Sequence, residues 1–274
     1  MILWTGGELG ANGQTRPNDR EWLERMTVLA FRPLADRAVT VDLADRAGPK
    51  AARRIASALA RIEEAITQGN LLGVEETAAS FSSLTIHYDC LHLSQADLVA
   101  KLRALLADLP EDATEQAGRL WHLPCCYAPE YGIDLASLAD SLSLPVAEIV
   151  ARHAATEFQT YALGFLPGLP FLGDLPAELA LPRRASPRTL VPAGSVAIAN
   201  RMCVIYPWDS PGGWHIVGRC PVPLFDPSRD ARPALLSVGD RLRFLAVTAT
   251  EADQIAAAFA EGTGDVTAFL QGAG

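Results

Sequence analysis

Hydrophobic and polar positions alternate in short runs along residues 26–112, and the longer runs between them repeat with the period of a helix. Four alternating runs predict β-strands: residues 28–31, 38–43, 74–79 and 84–88. Residues 49–68 and 95–108 predict amphipathic helices, because apolar side chains recur there every three or four positions. The order β-β-α-β-β-α predicts an α+β domain whose helices cover one face of the sheet.

The following residues, 117–250, contain more glycine and proline and predict a second, mainly β domain. Residues 121–127 predict its first strand, and two short helices follow at 135–142 and 146–155, with Asp134 suited to be the N-cap of the first. Short apolar runs separated by glycine and proline between residues 163 and 219 predict a compact all-β body with long loops. Loops held on such a scaffold commonly carry binding and catalysis.

The two ends of the chain lack the sustained helical or strand-like periodicity of the regions between them. Residues 1–25 have no sustained pattern, and we interpret them as a disordered or weakly ordered extension, arising from an upstream start codon or forming an arm that packs on a partner. We expect the boundary between the two domains near residues 110–116, where acidic residues cluster. Residues 251–259 predict a final helix, and the rest, to residue 274, predicts a weakly ordered tail.

Composition narrows the class of protein. The chain has 274 residues, 49% of them hydrophobic, which is enough for two domains with their own cores. A formal net charge of -9 argues against a nucleic-acid-binding surface. No apolar run approaches the roughly 18 residues that a membrane helix needs. Five cysteines without a CxxC pair predict reduced thiols in the cytoplasm.

Several common catalytic motifs are missing. The sequence has no P-loop, and Ser195 lacks the outer glycines of a nucleophile elbow. His87, Cys90 and His92 are metal-binding residue types, but no fourth ligand is evident, so we expect no metal. The adjacent Cys125 and Cys126 would point to opposite faces of a strand, which predicts a structural role with one thiol buried and the other against the opposite layer.

Two groups of polar residues are candidates for chemistry. His153 and Glu157 lie one turn apart if the helix continues, which would suit a base and the residue that orients it, or equally a surface pair at a helix end. Arg183, Arg184 and Arg188 gather cationic groups in an acidic chain, which suits a carboxylate or phosphate, or simply a solvated loop.

Three further features follow the arginines. Gly212 and Gly213 can take positive φ and turn backbone N–H groups towards an anion. Trp214 could wall a pocket or pack in the core. Arg219, after Gly218, could bind substrate or form a salt bridge with a partner.

These candidates lie within a set of irregularly spaced motifs. The motifs are Pro124-Cys125-Cys126-Tyr127, Gly164 to Gly173, Pro182-Arg183-Arg184, Val191 to Ser195, and Ser210-Pro211-Gly212-Gly213-Trp214 with Gly218-Arg219. In them the sequence resembles the family of bacterial 5-oxoprolinase B subunits, which is also called allophanate hydrolase subunit 1 or kinase-A inhibitor. Two departures are Ala35, where glycine is usual, and the run from Asn200 to Val204, which replaces Gly-x-Gln-Thr-Gly.

The resemblance implies an N-terminal α+β domain followed by a cyclophilin-like β-barrel. It also implies one component of an ATP-dependent enzyme that opens 5-oxoproline to L-glutamate. A carboxyltransferase-like C subunit, similar to allophanate hydrolase subunit 2, and an A subunit of the lactam-utilisation type would be its partners. The assembled complex would bind ATP, and this chain would be inactive alone. Two alternatives stay open, namely a regulator that inhibits a sensor histidine kinase and a component of urea or allophanate metabolism.

The site residues expected on this basis fall into two groups. The catalytic candidates are His153, Glu157 and Arg219. The substrate-binding candidates are Pro167, Gly168, Arg183, Arg188, Ser210, Gly212, Gly213 and Trp214.

Overall fold

A computed structural model describes residues 29–109, 118–229 and 232–272, and it contains a four-stranded sheet, a closed seven-stranded barrel and a two-stranded ribbon. Helices pack against the sheet and the barrel, so the fold is mixed α and β. The predicted extension, residues 1–25, and the predicted boundary at residues 110–116 lie outside the described residues.

The four-stranded sheet is antiparallel throughout, in the order β1-β2-β4-β3. Its strands are β1 (Ala30–Leu34), β2 (Ala38–Asp42), β3 (Val74–Ala79) and β4 (Ser83–Tyr88), and its helices are α1 (Pro49–Thr67) and α2 (Gln95–Leu105). The predicted order of elements is observed. The first strand lies further along the chain than predicted and includes Pro33, which is tolerated because β1 is an edge strand.

The core of this part lies between the sheet and α1. Val39, Val41 and Leu43 are buried on one face, as their alternation predicts. Ile55 and Ile62 of α1 are fully buried against them, and each isoleucine contributes about 1.5–3 kcal/mol by its burial. Truncating either to alanine would leave a cavity and cost about 2–5 kcal/mol.

The barrel closes in the order β10-β7-β6-β13-β5-β12-β9. Its strands are β5 (Leu120–Cys126), β6 (Phe158–Leu163), β7 (Pro170–Gly173), β9 (Ser195–Ala199), β10 (Met202–Ile205), β12 (His215–Arg219) and β13 (Arg241–Val247). The pair β5–β13 is parallel and the other pairs are antiparallel. A separate ribbon is formed by β8 (Arg188–Val191) and β11 (Ser210–Gly212). Closure leaves no unpaired edge in the barrel.

Three helices flank the barrel: α3 (Leu135–Leu142), α4 (Val146–Ala155) and α5 (Ala249–Ala260). Thr248 and Glu251 form a capping box at the start of α5, which fixes that end of the helix. No helix among the described residues is long and apolar enough to cross a bilayer.

The segment after α5 is ordered up to residue 272, so the prediction of a weakly ordered tail is wrong there. Asp265 caps a 3₁₀ turn, Val266–Phe269, by accepting a hydrogen bond from the N–H of Thr267. Leu270 bridges to Trp121 of β5, and the apolar side chains of the turn pack on the barrel core. Apolar contact with the barrel, rather than local periodicity, holds this segment.

Two residues that stand where glycine is usual keep a backbone conformation that favours glycine. Ala35 and Asn200 adopt φ of 54°, in the left-handed region where glycine is favoured and asparagine is tolerated. Cys125 and Cys126 are both buried, at 0% and 1% exposure, so neither thiol is open to solvent.

Candidate functional site

A cavity of about 300 Å³ opens between the outer wall of the barrel and the β8–β11 ribbon. Its walls are largely apolar, with Phe171 of β7, Val204 of β10 and Trp214 among the lining residues. Phe81, from the turn between β3 and β4, packs edge-on against Phe171 with ring centroids 5.3 Å apart. The sheet and the barrel therefore both support the wall of this cavity.

Arg183 supplies a positive charge at the cavity. Its guanidinium carbon lies 5.4 Å from the centre of the Trp214 ring, within the range of a cation–π contact. No carboxylate forms an ion pair with Arg183 in the part of the chain that the structure describes. The side chain is thus placed to meet an anion inside an apolar pocket, where the interaction is stronger than in water.

The neighbouring arginines are engaged instead by a buried carboxylate, Asp134, which is 3% exposed. Nη2 of Arg188 donates to Oδ1 of Asp134 at 2.6 Å, and Nη1 of Arg184 donates to the same oxygen at 3.2 Å. The other oxygen accepts from the N–H of Ile216 at 2.7 Å. One carboxylate therefore ties the arginine loop, the ribbon and β12 together.

Asp134 occupies the N-cap position of α3, as predicted, but its side chain makes no capping bond. The prediction of a capping side chain is wrong because both carboxylate oxygens are used by Arg184, Arg188 and Ile216. Local sequence gives no signal for this role, since the two arginines lie 50 and 54 positions away.

Tyr206 places a hydroxyl among the apolar walls. Burial raises its pKa, although the nearby Arg183 and Arg188 oppose that shift, so the hydroxyl keeps its proton at neutral pH. A Cβ added to Gly212 would lie 2.4 Å from this oxygen. Gly212 is therefore needed for the close approach of Tyr206.

Gly212 and Gly213 do not adopt positive φ, so the prediction of a left-handed turn that presents N–H groups to an anion is wrong. The carbonyl of Gly213 instead accepts a hydrogen bond from the N–H of Arg184 at 2.8 Å, which holds the arginine loop beside the ribbon. Both glycines still line the cavity.

Two other predicted binding residues support the cavity without lining it. Arg188 and Ser210 lie in the ribbon strands, where Arg188 pairs with Gly212 and Ser210 pairs with Val191. The hydroxyl of Ser210 is buried and makes no hydrogen bond with the described residues. Trp214, in contrast, lines the cavity and is 5% exposed, so it both packs in the core and walls the pocket.

Pro167 and Gly168 lie at the margin. Gly168 adopts φ of 76° and its backbone lies against Phe225, whereas Pro167 is exposed. Their neighbours Phe165 and Leu169 line the cavity, so the loop contributes through those side chains.

His153 lies within the barrel core and is 0% exposed. Its Nδ1 shares a 2.8 Å hydrogen bond with the hydroxyl of Tyr127, and its ring stacks on Phe244 at 4.9 Å. Burial lowers its pKa to about 3, so the ring is neutral near pH 7. This environment favours a structural role over proton exchange with a substrate.

Glu157 does not pair with His153, because α4 ends at Ala155. Its carboxylate instead binds Arg241 at 3.1 Å and Arg243 at 3.0 Å. The predicted arrangement of His153 as base and Glu157 as its orienter is therefore not formed.

Arg219 also lies apart from the first cavity. It is exposed, its guanidinium carbon is 5.5 Å from the ring centre of Tyr131, and it lines a different cavity of about 320 Å³. Tyr206 lines both cavities, so the two are neighbours on the barrel surface.

Metal-ligating side chains do not gather in residues 29–109, 118–229 or 232–272. No group of three or more His, Cys, Asp or Glu residues there could hold an ion.

The chain matches a known protein family, and it is similar to one relative over most of that relative's length. Residues 29–236 match the family described as "Carboxyltransferase domain, subdomain C and D". The chain is 34% identical over 225 residues to the B subunit of 5-oxoprolinase from Bacillus subtilis (strain 168), and the match covers 78% of this chain and 91% of the relative.

Solved structures give the same fold inside longer chains. The crystal structure of TTHA0988 aligns with a TM-score of 0.66 and 34% identity, over 77% of this chain and 40% of that chain. The urea amidolyase of K. lactis aligns with a TM-score of 0.66 and 20% identity, over 86% of this chain and 16% of that chain. The second likeness shows the fold alone.

Proposed function

Because the chain belongs to the family of 5-oxoprolinase B subunits, we propose that it is the B component of an ATP-dependent 5-oxoprolinase, which opens 5-oxoproline to L-glutamate. Its partners in this proposal are a carboxyltransferase-like C subunit and an A subunit. The barrel is cyclophilin-like in the same proposal, but prolyl isomerase activity does not follow from a fold.

One observation carries the assignment of a substrate site, namely the unpaired guanidinium of Arg183 beside an apolar cavity. 5-Oxoproline is a five-membered lactam that bears one carboxylate. In the proposed complex, the ring packs against Trp214 and Phe171, and the carboxylate binds Arg183. Arg184 and Arg188 are not assigned to that carboxylate, because both are already ion-paired with Asp134.

Tyr206 suits the other polar part of this substrate. Its hydroxyl stays protonated because burial raises its pKa, and it lines the same cavity. In the proposed complex it donates a hydrogen bond to the lactam carbonyl oxygen, which polarises the carbon that water attacks. Arginine and tyrosine together would therefore fix the orientation of the ring.

The chemical step needs groups from outside this cavity. A lactam is a stable amide, and ATP supplies the phosphoryl group that activates its carbonyl oxygen. The sequence has no P-loop, so we assign ATP binding to the assembled complex and derive no step through ATP in this chain. His153, Glu157 and Arg219 do not meet at the cavity, so we propose that the A and C partners supply the acid and base.

The two alternatives have less support. The likeness to urea amidolyase is at 20% identity and concerns the fold, so it does not favour a urea-derived substrate. No feature of the described residues favours the inhibition of a histidine kinase. The 5-oxoprolinase proposal is therefore the best supported of the three.

The test is reconstitution of the complex. The chain is purified with its A and C partners, and glutamate release from 5-oxoproline is measured with and without ATP. We expect turnover only when all three proteins and ATP are present. Full turnover by the A and C partners without this chain would overturn the proposal.

A further inference from the structure

A third cavity, of about 280 Å³, lies where the start of α1 meets the barrel. Its walls are mostly polar and come from α1, β6, β13 and the residue after β7: Pro49, Arg53, Glu157, Gln159, Asp174 and Arg241. It shares no lining residue with the cavity that contains Arg183. It is therefore a distinct feature of the molecule, and the proposed function makes no use of it.

Gln159 is the most informative residue of this cavity. It is 7% exposed and lines the cavity, and its side chain makes no hydrogen bond to any residue that the structure describes. The preceding Phe158 points into the barrel core, so alternation along β6 directs Gln159 to the outer face, where α1 packs. The amide faces the cavity, so a ligand or water there can form hydrogen bonds with it.

The charges around Gln159 favour an anion. Arg53 forms no hydrogen bond or ion pair with the described residues, and its buried Nε–H has no acceptor. The two acidic groups of the cavity are already engaged. Glu157 binds Arg241 and Arg243, and Asp174 accepts a hydrogen bond of 2.8 Å from the hydroxyl of Tyr161. Three arginines, Arg53, Arg241 and Arg243, thus lie among two carboxylates, and Arg53 is the arginine without an ion pair to any described residue.

The start of α1 also favours the binding of an anion. Its N-cap is Gly48, which offers no side-chain bond, and the first turn contains no acidic residue. The helix has 19 residues, so its N-terminal partial positive charge is developed in full, and no acidic side chain of its own first turn offsets it. Helix N-termini of this kind bind carboxylates and phosphates.

We propose that this third cavity binds a small oxyanion, either a carboxylate or a phosphate, through Arg53, Gln159 and the start of α1. Arg53 pairs with the oxyanion and Gln159 donates its amide N–H. The bound anion connects α1 to β6 and β13, and so it strengthens the contact between the helix of the sheet and the barrel.

The test uses the full chain and two probes, inorganic phosphate and succinate, in isothermal titration calorimetry. At least one probe should bind saturably. Arg53→Met and Gln159→Leu should each weaken binding about tenfold, since each removes a hydrogen bond to a charged ligand. Arg54→Met is the matched control, because Arg54 is the next residue on α1 and does not line the cavity, and it should leave the affinity unchanged. Which probe binds distinguishes a carboxylate site from a phosphate site.

One further variant keeps the outcome decisive. Arg183→Met should not alter binding of the probe, because Arg183 belongs to the other cavity; loss of binding in this variant alone would place the anion there and overturn the proposal. Absence of binding by both probes, or unchanged affinity in both Arg53→Met and Gln159→Leu, would also overturn it.

Discussion

Oδ1 of Asp134 lies 2.6 Å from Nη2 of Arg188, although the two residues are 54 positions apart in the sequence. The pair brings the turn before α3 against the first residue of the β8–β11 ribbon. Since Arg184 and the N–H of Ile216 share the same carboxylate, this contact fixes the loop that carries Arg183 over Trp214. The position of Arg183 in the candidate cavity therefore depends on the ion pair between Asp134 and Arg188.

Asp134→Asn should destabilise the chain by roughly 2–3 kcal/mol. Removing one member of a buried ion pair costs about 3–5 kcal/mol, and the value here is lower because the Arg184 and Arg188 side chains are 31% and 21% exposed. Urea unfolding measures the change. Asp140→Asn, an exposed residue of the same helix α3, is the control and should change stability by less than about 0.5 kcal/mol. Equal effects of the two substitutions would contradict the role of Asp134.

Gly212→Ala and Gly213→Ala should differ sharply. The new Cβ at 212 would lie 2.4 Å from the Tyr206 hydroxyl, whereas the one at 213 would meet its nearest neighbour, Pro187, at an ordinary 3.6 Å. Displacing Tyr206 should cost about 1–3 kcal/mol and weaken 5-oxoproline binding, while the 213 variant should resemble the wild type. Calorimetric titration with 5-oxoproline and urea unfolding measure both effects. Similar behaviour of the two variants would show that the close approach of Tyr206 is unimportant.

The stability of the chain should fall as the pH drops from about 6.5 to 3, because of His153. The pKa of this ring is lowered by burial to about 3 in the folded chain, so the unfolded chain binds more protons throughout that interval. The contribution is roughly 1.4 kcal/mol per pH unit between these limits. Unfolding measured at several pH values should show a shallower slope for His153→Gln than for the control His122→Gln. An unchanged slope in His153→Gln would mean that the ring is already protonated in the folded chain.

A single thiol should react with Ellman's reagent in the native chain. Cys90 is exposed, and the remaining four cysteines are buried. Burial also raises the pKa of Cys125, Cys203 and Cys220, the last to about 12, which suppresses the reactive thiolate. Cys90→Ser should abolish the native reaction, and denaturant should release four further thiols in the wild type. More than one rapid thiol without denaturant would contradict the burial described.

Most helices and strands could be predicted from the sequence, because burial on one face imposes a period that neighbouring residues reveal. The alternating residues Val39, Val41 and Leu43 are buried as expected, and so are Ala52, Ile55 and Ile62 of the apolar stripe of α1; Ala56, Leu59 and Ile66 of that stripe are half-buried. The segment after α5 could not be predicted in this way, since its apolar side chains pack on β5, far away in the sequence.

The candidate site was only partly predictable. The residue types arginine and glycine pointed to Arg183 and Gly212, and both residues line the cavity. These two could be proposed from the sequence because an arginine is cationic and a glycine lacks a side chain in any fold. The partners of Asp134 and Glu157 depend on the tertiary fold, so spacing suggested a cap for one and a histidine contact for the other. The close approach of Tyr206 to Gly212 could not be predicted either, because it depends on the tertiary fold. From the sequence alone, a glycine at this position suggested a positive φ, which the structure does not have.

The most direct test of the central claim is the kinetics of the reconstituted complex with Arg183→Gln, at saturating ATP and varied 5-oxoproline. We expect kcat/KM for 5-oxoproline to fall at least about tenfold, since the variant removes the charged partner of the substrate carboxylate. Arg54→Gln, away from the cavity, should match the wild type. Wild-type kcat/KM in the Arg183→Gln complex would contradict the claim that this cavity binds the substrate.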